Sequence, residues 1–557
     1  MPLSIALPMT RRGALATAIA ALAWRHALAA EDPGADQAEA LHVLNRLAFG
    51  PAPGDLDRVT RMGAPAWIAE QLHPERLALP AWLADPLSGL HTPNQTQRDL
   101  VQQYRDMARE AKQAETAAPD GKKPATEEDA ERRRKVATIY LEAGEARLLQ
   151  ALGSPRQLQE VLVDFWFNHF NVFQGKGLVR VLTESYERET IRPNVLGRFR
   201  TMLGATAKHP AMLFYLDNWL STAPGYQPAR RFGDGAAQAS GLNENYAREV
   251  MELHTLGVDG GYTQQDVTEL ARILTGWTML PQKPRRHRAV DGMDAGASGH
   301  GDSIFGFDPE RHDTGTKTWL GHSVPPDGQL EGEAALDVLA RHPATARHIA
   351  FKLARRFVAD EPPPALVDRL ARRFLDTDGD LRAVMQALVE SREFRDPRTR
   401  KFKSPYQYVM SSVRATGIVI TNVKPLMAVL AQLGQPLYGC QTPDGWHDTE
   451  ADWLNPNAIT QRVNFATALA SGKLPLQRVD DPAAPAGANG IKAMERQTDR
   501  AMAREQALEG ATPPVDAAAL LATLGLAIAD DTRAAVATAP PALRAALVLG
   551  SPDFMRR

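Results

Sequence analysis

Between Asn243 and Thr278 the chain reads NENYAREVMELHTLGVDGGYTQQDVTELARILTGWT, and the start, periodicity and stop of a helix occur there twice in the right order. Asn243 is a good N-cap and Gly257 a good C-terminal stop, so residues 244–256 are predicted as one helix. Thr263, with Asp266 three residues later, has capping-box spacing, and Val267, Leu270, Ala271 and Leu274 recur at helical intervals behind it. Trp277 is expected to close this second helix where the loop at Pro281 begins. Spacing of three and four dominates elsewhere too, as at 347–358 and 365–375, while runs of alternating β-branched residues are nearly absent. The predicted class is therefore mainly α, a large irregular multi-helix array.

A weak internal echo sets residues 381–394 beside 543–554, each a helix followed by serine and then an aromatic, and hints at duplicated helical units. The segment 102–136 is very polar and reads as a solvated helical excursion broken at Pro119-Asp120-Gly121. Three stretches read as loops: 223–242, 281–303 and 479–489. The expected organisation is a leader over 1–30, a helical core over 31–475, and a Pro/Ala/Gly-rich linker over 476–557 whose terminal helices pack back on the core.

Thr10-Arg11-Arg12-Gly13 places a twin arginine before a weakly apolar run over 14–24 and a small-residue site at Ala27-Leu28-Ala29. This reads as a twin-arginine export signal, cleaved near Ala29 or Ala30, with a periplasmic or secreted destination. The apolar run is about half the ~20 residues a membrane-spanning helix needs, so no transmembrane anchor is expected after cleavage. Cys440 is the one cysteine and makes no intramolecular disulfide, which suits a chain that folds before export. A net charge of -2 gives no basic field for a phosphate backbone, and nucleic acid is excluded as an expected partner.

Winding the first helix at 100° per residue puts Glu244, Asn245, Arg248, Glu249 and Glu252 on one side and Tyr246, Val250, Met251 and His254 on the other. The block from Gln157 to Phe173 repeats the pattern, with Glu160, Asp164 and Asn168 opposite Phe165, Trp166 and His169. If the two polar faces line one cleft, Glu249 and Glu252 are the candidates for general acid and base, since mutual burial separates their pKa values. Asn168, Arg248, Trp277 and Lys317 are candidate substrate-binding residues, the tryptophan as a sugar-stacking platform or as a core residue. His169 and His254 lie inside apolar faces, where they form either a buried hydrogen-bonded pair or half of a metal site. The loop Arg311-His312-Asp313-Thr314-Gly315-Thr316-Lys317 offers His312 and Asp313 as ligands of a divalent metal, the one cofactor suggested, or is an Asx-type turn. Pro443-Asp444-Gly445-Trp446 scans as an ordinary turn. His-Glu-x-x-His, Gly-x-Ser-x-Gly, phosphate-loop, Cys-x-x-Cys and dinucleotide motifs are absent.

The stretch 243–278 is joined by LHVLNRLAFGPAPGDLDRV from Leu41, DFWFNHFNVF from Asp164, HPAMLFYLDN from His209, RHDTGTKTWLG from Arg311 and the terminal SPDFMRR. Together these blocks resemble a bacterial family known as domain of unknown function 1800, in family order over residues 41–557. The resemblance implies an exported protein, often encoded beside a sulfatase-like or phosphatase-like partner, and supplies no catalytic residue. Two functions are carried forward: a hydrolase-like extracytoplasmic enzyme acting on an envelope or environmental polymer, and a non-catalytic binding or scaffold partner of the co-secreted protein.

Overall fold

A computed structural model describes residues 33–116, 127–227, 241–279, 303–477 and 512–557. The leader read over 1–30, the Pro119 turn and most of the three loops lie outside the described residues. Among those described, helices follow one another throughout, and strand is confined to two antiparallel pairs of three residues each, Trp277–Met279 with Phe305–Phe307 and Lys317–Trp319 with His322–Val324. The chain is mainly α. None of these helices is long and apolar enough to cross a membrane.

The helix Gln157–His169 runs through the interior and is buried nearly all round. Leu158, Leu162, Trp166 and Phe170 pack into the apolar core, with Trp166 and Phe170 stacked on each other and both against Phe199. Its polar stripe is buried as well, so each polar group needs an internal partner. Gln157 donates to the carbonyls of Ala151 and Ser154, Glu160 accepts from Arg192, and Asp164 takes one arginine on each oxygen. The amphipathic reading had the periodicity right; the polar face meets buried cations instead of water.

The helix of the 243–278 stretch spans Asn245–Glu252, ending four residues before the predicted end at residue 256. Leu256 N–H bonds the carbonyl of Met251 and the Thr255 hydroxyl bonds that of Val250, so the last turn widens and His254 swings into the interior. Gly257, at φ +84, then reverses the chain in the left-handed region. The Thr263–Asp266 capping box forms and starts the helix Gln264–Ile273. Trp277 does not close that helix; it opens the first strand and is wholly buried on Gly332. A strand of three residues shows too little alternation to be read in sequence.

The C-terminal helices lie against the core. Pro541–Leu549 packs on Pro456–Ala470, and the Tyr408 hydroxyl donates to the carbonyl of Leu549. The internal echo corresponds to one local device used twice. Ser391 and Ser551 each accept from the N–H of a buried phenylalanine three residues on, Phe394 and Phe554, and each donates to the carbonyl three residues back.

Candidate functional site

A cavity of about 360 Å³ lies between the helix Gln157–His169, the helix Pro343–Phe357 and the connection from Gln435 to Asp452. Its cations come from helices and most of its acids from the connection. Arg147, Lys352, Arg355 and Arg356 form one side, and Asp444, Asp448 and Asp452 with His447 form the other. The spacing at 352, 355 and 356 sets three of these cations on one helical face.

The floor is a closed charge network. Arg147 pairs with Asp164 at 3.0 Å and Glu187 at 2.6 Å, Arg356 holds the other oxygen of Asp164 at 2.8 Å, and Arg192 joins Glu187 to Glu160. The rings of Phe167, Tyr406 and Tyr438 surround the Arg147 guanidinium at 5.2–5.3 Å. Glu187 starts a π-helical turn, Glu187–Ile191, that departs from regular helix beside the network. Tyr438 sits at φ +56, a conformation costing a non-glycine residue about 1–3 kcal/mol, and its hydroxyl donates to Glu187 at 2.9 Å. Strain of that kind is retained where surrounding contacts fix it.

Lys352 is the exception to this pairing. Its ammonium faces the cavity with no hydrogen bond or ion pair among the described residues, and burial pushes its pKa down to about 8 although Asp444 and Asp448 pull it upward. Behind it three imidazoles stand close together: the His169 ring is 6.3 Å from His254 and 6.1 Å from His348. His169 donates to the carbonyl of His254 and His348 to that of Leu253. Burial, reinforced by Lys352, holds His254 down at about 3 and His348 at about 4, so both rings are neutral at physiological pH.

The Pro443–Trp446 segment covers the cavity. Asn168 accepts from Trp446 N–H at 2.7 Å and donates to the Trp446 carbonyl at 2.8 Å, while Asn171 donates to the carbonyls of Cys440 and Thr442. Gly445, at φ +76, passes so close that a Cβ there would lie 2.2 Å from the Asn168 carbonyl oxygen. Asn168 lines the cavity, with its amide spent on holding the turn. Trp446 is half-buried in the wall, its ring centroid 6.1 Å from that of Trp453.

The other expected residues separate. Glu244, Arg248 and Glu252 turn toward the next helix and its approach, bonding Gln264, Thr268 and Tyr262. The two polar faces therefore do not line one cleft. Glu249 stands apart from both the cavity wall and these pairs: it has no hydrogen bond or ion pair among the described residues, and burial, with the charges of Glu252 and Asp444 adding to it, raises its carboxyl to about 7. Trp277 has no exposed face for a sugar.

The His312 loop is a structural lock. His312 Nδ1 bonds the Thr275 carbonyl at 2.8 Å and its Nε2 meets Glu331 at 2.9 Å, while Lys317, 1% exposed, donates to the second oxygen of Glu331 at 2.6 Å. Asp313 is taken up by Arg272 and the Gly315 N–H. With these groups committed to one another, His312 and Asp313 do not converge on a shared ligand point. Among the described residues no three His, Cys, Asp or Glu side chains are grouped to hold a metal ion.

Sequence reasoning passed over Lys352 and the 444–452 acids. Lys352 sits in an ordinary amphipathic helix, but the density of Asp444, Trp446, His447, Asp448, Asp452 and Trp453 in ten residues was a usable signal. No curated protein and no solved structure matches the chain. Residues 42–556, nearly all of it, match the family described as Protein of unknown function (DUF1800), and to that family the chain belongs.

Proposed function

We propose that the protein is an exported, hydrolase-type enzyme acting on an acidic polysaccharide, one segment of which binds beneath the Pro443–Trp446 turn. The observation that carries this reading is the unpaired Lys352 ammonium facing a cavity that also holds carboxylates and a half-buried tryptophan edge. An anionic sugar satisfies all three: its carboxylate or sulfate meets Lys352 and Arg355, its hydroxyls meet Asp444 and Asp448, and its apolar ring face lies on Trp446. Glu249, close enough to feel the charge of Asp444 and raised to about 7, retains a proton near neutral pH and is suited to general acid. The twin arginine at Arg11-Arg12 supports action outside the cytoplasm.

The test is incubation of the purified protein with alginate, polygalacturonate and a sulfated glycan, with amylose as the neutral control, reading reducing ends released and binding by calorimetry. Release from an acidic polymer that is lost in both Lys352→Met and Glu249→Gln supports the reading. Binding without release in wild type returns the protein to the non-catalytic class, as a scaffold for a co-secreted partner. Failure to bind any acidic polymer overturns it.

A further inference from the structure

The large cavity holds about 360 Å³, near the low end of the ~300–1,000 Å³ of small-molecule sites, so a polymer seated in it must run out over its rim. The rim beside the Pro443–Trp446 turn offers a second aromatic surface. Trp446 lines the cavity, whereas Trp453 stands outside that lining and is partly exposed, its ring tilted 56° to that of Trp446 with the centroids 6.1 Å apart. Both tryptophans are pinned. The Trp446 backbone is held by the Asn168 amide, and the Trp453 indole N–H donates to the His447 carbonyl at 2.9 Å. Asp452 accepts from the N–H and the hydroxyl of Thr449 at the start of the short helix Glu450–Trp453, which sets the direction in which the second indole leaves the backbone. Leu454, 43% exposed, follows it.

Charge distinguishes this rim from the cavity wall that carries Lys352 and Arg355. The exposed His447 imidazole lies between Asp452 at 3.2 Å and Asp444 at 3.4 Å. Its hydrogen bond to Asp452, joined by Asp444, raises it above the ordinary histidine range, so one imidazolium stands against two carboxylates. Glu450, on the same short helix, is balanced by Arg556 and adds no net charge. A second acidic sugar would meet net negative charge here. A neutral one lays its apolar face on Trp453 and bonds its hydroxyls to Asp452 and His447. We propose that the Trp453 rim is a second subsite, for an uncharged sugar joined to the acidic one in the cavity, so that the glycan recognised carries a neutral residue beside an acidic one. The inference rests on the reading of the cavity as an acidic-sugar site and narrows it: the cavity selects by charge, the rim by ring face and hydroxyls.

The experiment uses the full-length folded protein and calorimetry with two tetrasaccharides, one from hyaluronan, in which uronate and a neutral N-acetylated sugar alternate, and one from polygalacturonate, in which every residue is acidic. Wild type is expected to bind the hyaluronan fragment about fivefold more tightly, the scale of one well-placed aromatic contact and the opposite of what total ligand charge alone gives. Trp453→Ala should bring the ratio of the two affinities close to one. Should that variant fail to fold, the wild-type ratio alone decides. Equal affinities in wild type, or a preference for the galacturonate fragment, overturn the second subsite while leaving the acidic-sugar cavity in place. A ratio that survives Trp453→Ala puts the preference elsewhere and overturns it as well. Binding of neither fragment overturns the subsite together with the reading of the cavity on which it rests.

Discussion

Asn168 and Trp446, 278 residues apart, hold each other through both polar atoms of one side-chain amide, which accepts from the tryptophan N–H at 2.7 Å and donates to its carbonyl at 2.8 Å. A buried helix thereby fixes the one turn that covers the large cavity, and the amide serves the site by positioning.

Asn168→Ala is expected to leave the Trp446 backbone groups unpaired and lower stability by roughly 1–3 kcal/mol. Gly445→Ala should act on the same turn by collision with the Asn168 backbone. Both should weaken ligand binding more than Arg248→Ala, which lies outside the cavity wall. Calorimetric affinity beside urea midpoints separates these effects, and equal affinities in all three variants would contradict the positioning role.

Lys352→Met should stabilise the fold at neutral pH while removing binding. A lysine whose folded pKa is pushed down to about 8 destabilises the folded state most fully below pH 8. The penalty fades as pH rises toward the unfolded value near 10.5. The stability difference between variant and wild type should therefore shrink between pH 8 and pH 10.5, followed by urea denaturation; a difference constant across that window would contradict an unpaired, desolvated ammonium.

His254 and His348 predict acid sensitivity. Their folded pKa values, about 3 and about 4, lie below the ordinary 6.5, so the unfolded chain binds more protons in the interval and stability falls as pH drops from 6.5 toward 4. The cations facing the pair are Lys352 and the neighbouring imidazoles, which oppose protonation. His254→Gln should flatten the dependence, read as thermal midpoints at pH 7.5, 6 and 5. An unchanged slope would mean that His254 is not the group being titrated.

Glu331→Gln should be among the most damaging single changes. It leaves the Lys317 ammonium, wholly buried, facing a neutral amide, and breaking a buried pair from one side typically costs ~3–5 kcal/mol. His312→Ala opens the same lock with a smaller loss, since Lys317 keeps its ion pair with Glu331. A urea midpoint for Glu331→Gln within error of wild type would show the pair to be solvated.

Local signals were legible wherever physics is local. The Thr263–Asp266 box forms as its spacing dictates, and the apolar periodicity of 243–278 and 157–173 gives helices with the expected residues inside. His169 and His254, read as inward-facing from winding alone, stand with ring centroids 6.3 Å apart. The family relationship was carried by blocks that survive as sequence. What winding cannot give is the partner of a polar face. Glu244 and Arg248 face the next helix while Asp164 faces Arg147 and Arg356, because inter-helix packing decides which stripe meets water and which meets charge. His312, Asp313 and Lys317 looked reactive as neighbours in sequence, and Glu331 with Arg272, brought in from two helices, satisfies them. Lys352 looked ordinary, and only the tertiary structure sets it beside a cavity with no hydrogen bond or ion pair among the described residues, since that depends on every element packed around it.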